Sequence, residues 1–288
     1  METVAKIIKT FKTELKNIYP PEEIRSFTDI LLKHFADINK TEAFLYPDKN
    51  LNDEIIYKLA SAIEKLKQEY PVQYITGQTE FYSLKFKVSP DVLIPRPETE
   101  ELVDLIIKNH QNHQKIKILD IGTGSACIPV SLKKHLPETE IFALDISEKA
   151  LHIARENAKI NQTQIYFFND DILNPQENKY TDYDIIVSNP PYVREKEKTL
   201  MQKNVLENEP HLALFVKDDD ALIFYRAIIN FAKNRLKPKG FIYFEINEAL
   251  AGELKDLLKL NNFTDIEIIK DLFGKNRIIK ATKSMSYN

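Results

Sequence analysis

Apolar residues recur at helical spacing over the first ~70 positions and at strand-like spacing along most of the remaining chain. Val4, Ile7, Ile8, Phe11, Leu15 and Ile18 predict one amphipathic helix. Pro20-Pro21-Glu22-Glu23 opens a second, because proline fits a first helical turn and acids favour its positive end. Its apolar set is Ile24, Phe27, Ile30, Leu31 and Phe35. Ala43, Phe44 and Leu45 predict a short helix, and Asn50 or Asn52 caps a longer one carrying Ile55, Ile56, Leu59, Ile63 and Leu66. This is a small helical bundle without a chemical motif, suited to recognising a partner or to stabilising the rest.

The stretch 71–78 breaks the helical pattern and reads as a linker. Residues 81–88 then alternate like a strand, Ser89-Pro90-Asp91 makes a turn, and Val92-Leu93-Ile94 returns, predicting a β-hairpin. In Pro95-Arg96-Pro97-Glu98-Thr99-Glu100 the prolines delay helix until Glu98, whose helix buries Leu102, Val103, Ile106 and Ile107. Arg96 and Glu98 fit either a pocket mouth or an ordinary proline-delimited helix start. From about 115 the chain alternates strands at 116–121, 141–144, 165–168, 183–187 and 240–246 with helices at 128–136, after Ser147, 221–236 and 249–260. Residues 263–269 and 277–282 form a closing antiparallel pair. The expected fold class is α/β, a doubly wound, mainly parallel sheet of seven strands behind a helical bundle. The expected division is a helical domain at 1–75, a β-hairpin linker at 76–97 and the sheet domain at 98–288.

Composition narrows the class. With 43% hydrophobic and 29% charged residues among 288, the chain reads as soluble and globular. No apolar run approaches the ~18–20 residues of a membrane span, and the first residues lack a signal pattern. One cysteine, Cys127, excludes an intramolecular disulfide and suits a reducing cytoplasm. A net charge of −3 speaks against a large nucleic-acid-binding surface or a stable nucleic-acid partner. His110 and His113 are expected to be exposed at a helix end, and no paired Cys or His suggests a metal.

Two stretches carry the chemistry. Gly122-Thr123-Gly124 follows a strand and allows close backbone approach to a ligand. Asp145 ends the next strand about 20 residues on, the distance at which an acid meets ribose hydroxyls in dinucleotide folds. A nicotinamide dinucleotide competes here, but its fingerprint wants a third glycine where Cys127 stands and lacks the acid Asp120 before the first. A carboxylate repels pyrophosphate and attracts an ammonium. Asp120, Asp145 and Asp171 at successive strand ends suit a cationic nucleoside without phosphates, which describes S-adenosylmethionine. Ser188-Asn189-Pro190-Pro191-Tyr192 ends a buried strand abruptly, since neither proline can donate a ladder hydrogen bond. The side-chain oxygen of Asn189 and the carbonyl of Pro190 are placed to grip an NH₂ group, with Tyr192 packing beside it.

The Asp-x-Gly-x-Gly turn resembles motif I of class I methyltransferases, and Asn189-Pro190-Pro191-Tyr192 resembles the motif of their amino-methylating branch. Residues 71–77 with Phe81-Tyr82, residues 94–100, Glu209-Pro210, Ala213-Leu214, Phe224-Tyr225-Arg226, Glu245-Ile246 and 271–277 are similar to the peptide-chain release factor glutamine N5-methyltransferase family. The resemblance runs from about 70 to the end; the helical part matches in layout. It implies that Gly122, Thr123, Gly124, Ser125 and Ala126, with Asp120 and Asn189 nearby, face the cofactor's methionine part. Asp145 would take the ribose hydroxyls, with Asp171 and Ile172 at the adenine. Asn189, Pro190, Pro191 and Tyr192 would hold the glutamine amide of a release factor's Gly-Gly-Gln motif, with Arg96 and Glu98 at the substrate side. Ala126 stands where many methyltransferases have a third glycine, and Asp218-Asp219-Asp220 replaces a glycine-richer loop. The alternatives are a methyltransferase for adenine N6 or guanine N2 in nucleic acid, and an idle cofactor-binding module.

Overall fold

The computed structural model describes residues 2–112 and 115–285, so His113 lies outside the described residues. The chain divides into two compact units, residues 1–77 with 202–208, and 78–201 with 209–288.

The smaller unit holds helices α1 (Val4–Leu15), α2 (Pro21–Ala36), α3 (Lys40–Leu45), α4 (Asp53–Lys67) and α5 (Val72–Thr76). Val4, Phe11, Leu15, Leu31, Leu32, Leu59 and Leu66 meet at its centre. Asn52, not Asn50, caps α4 by accepting from the Ile55 amide, and Asn39 with Glu42 forms a capping box on α3. Residues 72–76 are helical rather than a linker, because Gly77 at φ 68° closes that turn in the left-handed conformation.

The larger unit opens on a hairpin of β1 (Gln78–Phe81) and β2 (Leu84–Lys87). Its turn is Tyr82-Ser83, not the expected 89–91, and 92–94 is no strand. Both turn residues have positive φ, 49° and 60°, as a two-residue hairpin of the mirror type requires. Neither is Gly or Asn, so the signal was hidden. Glu100 stabilises the turn by accepting from the Tyr82 amide at 2.7 Å.

Next come α6 (Pro97–His110), β3 (Lys117–Ile121), α7 (Cys127–His135), β4 (Glu140–Asp145), α8 (Glu148–Ile160), β5 (Tyr166–Asn169) and β6 (Tyr183–Ser188). A short pair, β7 (Val193–Arg194) and β8 (Phe215–Val216), brackets α9 (Lys203–Asn208) in sequence. The chain ends with α10 (Ile223–Arg235), β9 (Leu236–Glu245), α11 (Ala251–Leu260), β10 (Phe263–Lys270) and β11 (Asn276–Lys283). The seven-stranded sheet runs β10-β11-β9-β6-β3-β4-β5, parallel except where β11 meets β9 and β10. Its central strands are buried on both faces with period two: Leu119, Leu144, Ile186 and Phe244 face α10 and α11, while Ile118, Ile141, Val187 and Tyr243 face α6, α7 and α8. His110 is buried rather than exposed, with Nε2 2.9 Å from the Tyr243 hydroxyl.

Helix α8 holds β2 by two asparagines. Asn157 accepts from the Lys87 amide (2.6 Å) and donates to the Lys87 carbonyl and the Ser125 carbonyl (2.9 Å each). Asn161 donates to the Lys85 carbonyl at 2.9 Å. Four helical residues rise ~6.0 Å and two strand residues ~6.8 Å, so the two side chains match alternate strand residues. Asn157 is wholly buried, and its replacement by alanine strands three backbone groups. Asn157→Ala is expected to lower stability by about 3 kcal/mol or more, the low end of ~1–3 kcal/mol for each of the three stranded groups. The denaturation midpoint should fall at constant slope; a variant with an unchanged midpoint would mean that water replaces these bonds.

Candidate active site

Strands β3 and β6 lie side by side and parallel, with Ile121 opposite Ser188. The Ser188 hydroxyl donates to the Ile121 carbonyl at 2.6 Å, so the glycine turn and the Asn-Pro-Pro tip leave the sheet together. Between them lies a cavity of about 210 Å³, against the ~10–15 Å³ that one water needs. Gly122 and Gly124 form one wall, and Ser188, Asn189, Pro190 and Pro191 another. Residues 144–147 and 170–173 add the ends of β4 and β5, and Phe224 and Ile228 come from α10.

The turn is pulled towards β4, since the Gly122 and Thr123 amides both donate to the Leu144 carbonyl (2.9 and 3.0 Å). Gly122 and Gly124 have φ of 74° and 54°, and a Cβ on either would project into open space. Their permissive backbone is therefore used to leave room. Ala126 also takes a left-handed φ, 63°, at the start of α7, where glycine would be unstrained. Thr123, Ser125 and Ala126 are buried behind the turn and do not line the cavity.

Among the described residues four aspartates (Asp91, Asp145, Asp170 and Asp171) line the cavity, with no lysine, arginine or histidine. Asp145 Oδ2 accepts from the Gly124 amide (2.8 Å) and Oδ1 from the Ser147 amide (2.9 Å). Burial raises its carboxyl above the ordinary value, and these amides offset part of the rise. Asp170 resists ionisation through burial, but the Tyr180 hydroxyl and the Gln176 and Asp171 amides outweigh this and hold it below the usual range. Asp171 and Ile172 both line the cavity, and Asp171 Oδ1 accepts from the Leu173 amide. Asp120 lies beneath the turn at 1% exposure, and neither carboxylate oxygen has a hydrogen-bond partner among the described residues. Burial pushes it up to about 7; the nearby Thr123 hydroxyl lowers it and the Asp145 charge raises it further.

Asn189 Nδ2 donates to Thr99 Oγ1 (3.3 Å), Thr99 donates to Glu245 Oε2 (2.6 Å), and the Tyr192 hydroxyl donates to Glu245 Oε1 (2.9 Å). Tyr192 thus turns to the buried Glu245 at the end of β9 and does not line the cavity. Arg96 does not line it either: its Nη2 pairs with buried Glu209, which also accepts from the Ile94 amide (3.2 Å). That pairing anchors the segment whose Pro210, Leu212 and Ala213 do line the cavity. Glu98 is half-buried, away from the lining, and its charge raises Glu245, whose carboxyl is already lifted by burial. Thr99, Glu209 and Glu245 were not singled out from the sequence as site residues. Their only signal was membership of the stretches 94–100, Glu209-Pro210 and Glu245-Ile246.

The fold and the acid-lined cavity at the strand ends define a methyltransferase. A family profile described as "Methyltransferase small domain" matches residues 99–214, and one described as "PrmC N-terminal domain" matches 6–77. The T. thermophilus 16S rRNA N2 methyltransferase in complex with AdoMet and guanosine aligns with a TM-score of 0.52 at 17% identity, over 72% of this chain and 49% of its own, a likeness of fold alone. The release factor glutamine methyltransferase of Flavobacterium psychrophilum is 45% identical over 96% of this chain and 99% of its own length. That of Bacteroides thetaiotaomicron is 44% identical over 96% and 99%. The chain belongs to the release factor glutamine methyltransferase family.

The raised Asp120 makes the stability of the ligand-free protein depend on pH. Between the ordinary 3.8 and about 7 the folded state keeps a proton that the unfolded chain has released. Stability therefore falls as pH rises through that window and stays reduced above it. At ~1.4 kcal/mol per pKa unit the loss amounts to at most about 4 kcal/mol. Asp120→Asn should flatten the decline, so urea midpoints at pH 5 and pH 8 should lie closer together than in the unaltered protein. Equal declines in the two proteins would show that Asp120 stays ionised and compensated.

Proposed function

We propose that this protein transfers a methyl group from S-adenosylmethionine to the N5 atom of a glutamine side chain in peptide-chain release factors, supporting translation termination. The observation that carries this reading is one cavity walled by the glycine turn on one side and the Asn-Pro-Pro tip on the other, lined among the described residues by four aspartates and no cationic side chain. Such a field repels a pyrophosphate and favours ammonium and sulfonium charge.

The residues present fit the cofactor. The open space beside Gly122 and Gly124 admits its backbone-hugging methionine part, and Asp120 is a buried carboxylate still lacking a partner among the described residues. Asp145, oriented by two amides, retains lone pairs that would take the ribose hydroxyls, and Asp171 with Ile172, which line the same cavity, would border the adenine. When bound, the cofactor supplies an electrophilic methyl group on a sulfonium. The protein's task is then to make a poor nucleophile react, since an amide nitrogen's lone pair is delocalised into its carbonyl. Asn189 Oδ1 and the Pro190 carbonyl accept the amide's two N–H bonds, disfavour that delocalisation and aim the nitrogen. Positive charge grows on the nitrogen during transfer, so fixed acceptor dipoles stabilise the transition state more than the ground state. Holding the two reactants in one cavity supplies the orientation. Tyr192, tied to Glu245, stiffens the tip from behind.

In this reading the sheet domain (98–288) is catalytic, the helical segment (1–75) recognises the release factor, and 76–97 joins them. The work takes place in the cytoplasm, where release factors act. Among the described residues no helix is long and apolar enough to cross a membrane.

Labelled S-adenosylmethionine offered with release factors and with nucleic acid tests the reading. Label on a release factor glutamine, located by mass spectrometry, is the expected result; label on nucleic acid would replace this substrate class, and no transfer to either would leave a binding module. Asn189→Ala should lower turnover by ~10²-fold or more, the effect of removing one preorganised polar group, while cofactor affinity falls less. Near-normal turnover would remove Asn189 from the mechanism.

A further inference from the structure

We infer that Thr99 and Glu245 are positioning residues that decide which end of the Asn189 amide faces the cavity. The inference rests on the proposed amide-methylating reading, and it comes from counting hydrogens along a buried chain.

Glu245 is 1% exposed at the end of β9, and both of its carboxyl oxygens act as acceptors. Oε1 takes the hydroxyl hydrogen of Tyr192 and Oε2 that of Thr99, at 2.9 and 2.6 Å. A threonine hydroxyl has one hydrogen. Once it is directed at Glu245, Thr99 turns only lone pairs towards Asn189. The asparagine must therefore meet it with the NH₂ group, as the 3.3 Å contact from Nδ2 to Oγ1 shows. Its Oδ1 is left without a protein partner among the described residues, on a side chain that lines the cavity.

The two ends of a primary amide are nearly the same size, so packing alone cannot choose between them. With Oδ1 outward the site presents an acceptor and selects a substrate nitrogen that still carries hydrogens. With Nδ2 outward the same side chain would oppose the substrate NH₂ with a second donor. Reversing the amide in place would also set Oδ1 against the lone pairs of Thr99. The only escape is for Thr99 to turn its hydrogen to Asn189, which leaves a buried carboxylate oxygen without its donor, and that is costly. Glu245 thus fixes the polarity of a residue it does not touch, and anchors Tyr192 at the other end of the same four-residue tip.

Thr99→Val keeps the side-chain shape and removes the acceptor. It is expected to lower kcat on a release factor by about 10–100-fold, somewhat less than loss of the group itself. Affinity for S-adenosylmethionine and KM for the release factor should change little. Thr99→Ser, which restores the hydroxyl, should recover most of the turnover. An unchanged kcat in the valine variant, or a serine variant as slow as valine, would overturn the inference. If the valine variant does not fold, Glu245→Gln carries the same test at constant volume, with the same expected fall in kcat and unchanged cofactor affinity. Hydrogen exchange of the isotope-labelled Asn189 side-chain NH₂ reads the contact with no substrate present: slow in the unaltered protein, fast in Thr99→Val. Equal exchange in both would also overturn it. An unaltered protein that methylates no release factor would end the functional reading instead, and the exchange measurement would still decide the polarity of Asn189.

Discussion

The site depends on the register of two parallel strands far apart in sequence. β3 and β6 pair with Ile121 opposite Ser188, and neighbouring strands lie ~4.8 Å apart. The segments after those two residues must therefore emerge side by side. The register is held by core packing, because Leu119 and Ile186 point to one face of the sheet and Ile118 and Val187 to the other. A slip of one residue would turn each set towards the wrong helices. The same burial that stabilises the sheet thus brings a glycine turn and an asparagine tip to the two walls of one cavity.

The cavity concentrates groups that folding alone would not favour. Asp120 is buried without a partner among the described residues, Ala126 sits in a left-handed conformation, and Glu245 is a carboxylate enclosed at the end of a core strand. An unpartnered buried carboxyl group and a left-handed alanine each oppose folding. Two hydroxyls hold Glu245, and the frame around the cavity is fixed by two amides on Asp145 and three donors on Asp170. Local violations of this kind gather where function is carried.

Hydrogen-bonding side chains connect elements that the backbone ladders leave separate. Asn157 joins the hairpin to the carbonyl of Ser125 in the glycine turn, and Glu209 joins Arg96 to the segment bordering the cavity. The hairpin consequently belongs with the larger unit. Each such side chain replaces several backbone partners at once, so its loss reaches further than its size.

Elements with a strong hydrophobic period were legible in the chain itself. The first four helices, the five parallel strands and the closing pair come from spacing, and so do Asp145, Asp171 and the Asn189 tip at strand ends. The hairpin turn at Tyr82-Ser83 was not legible, because its left-handed residues are neither glycine nor asparagine and a distant carboxylate holds them. His110 and Tyr192 face inward for the same kind of reason: their partners, Tyr243 and Glu245, lie 133 and 53 residues away in sequence. Periodicity is a property of neighbours along the chain, set by backbone geometry and water, and one sequence is enough to read it. Which hydroxyl meets which carboxylate is settled only when the sheet brings Thr99, Asn189 and Glu245 together, since hydrogen-bond direction depends on the third partner as much as on the first two.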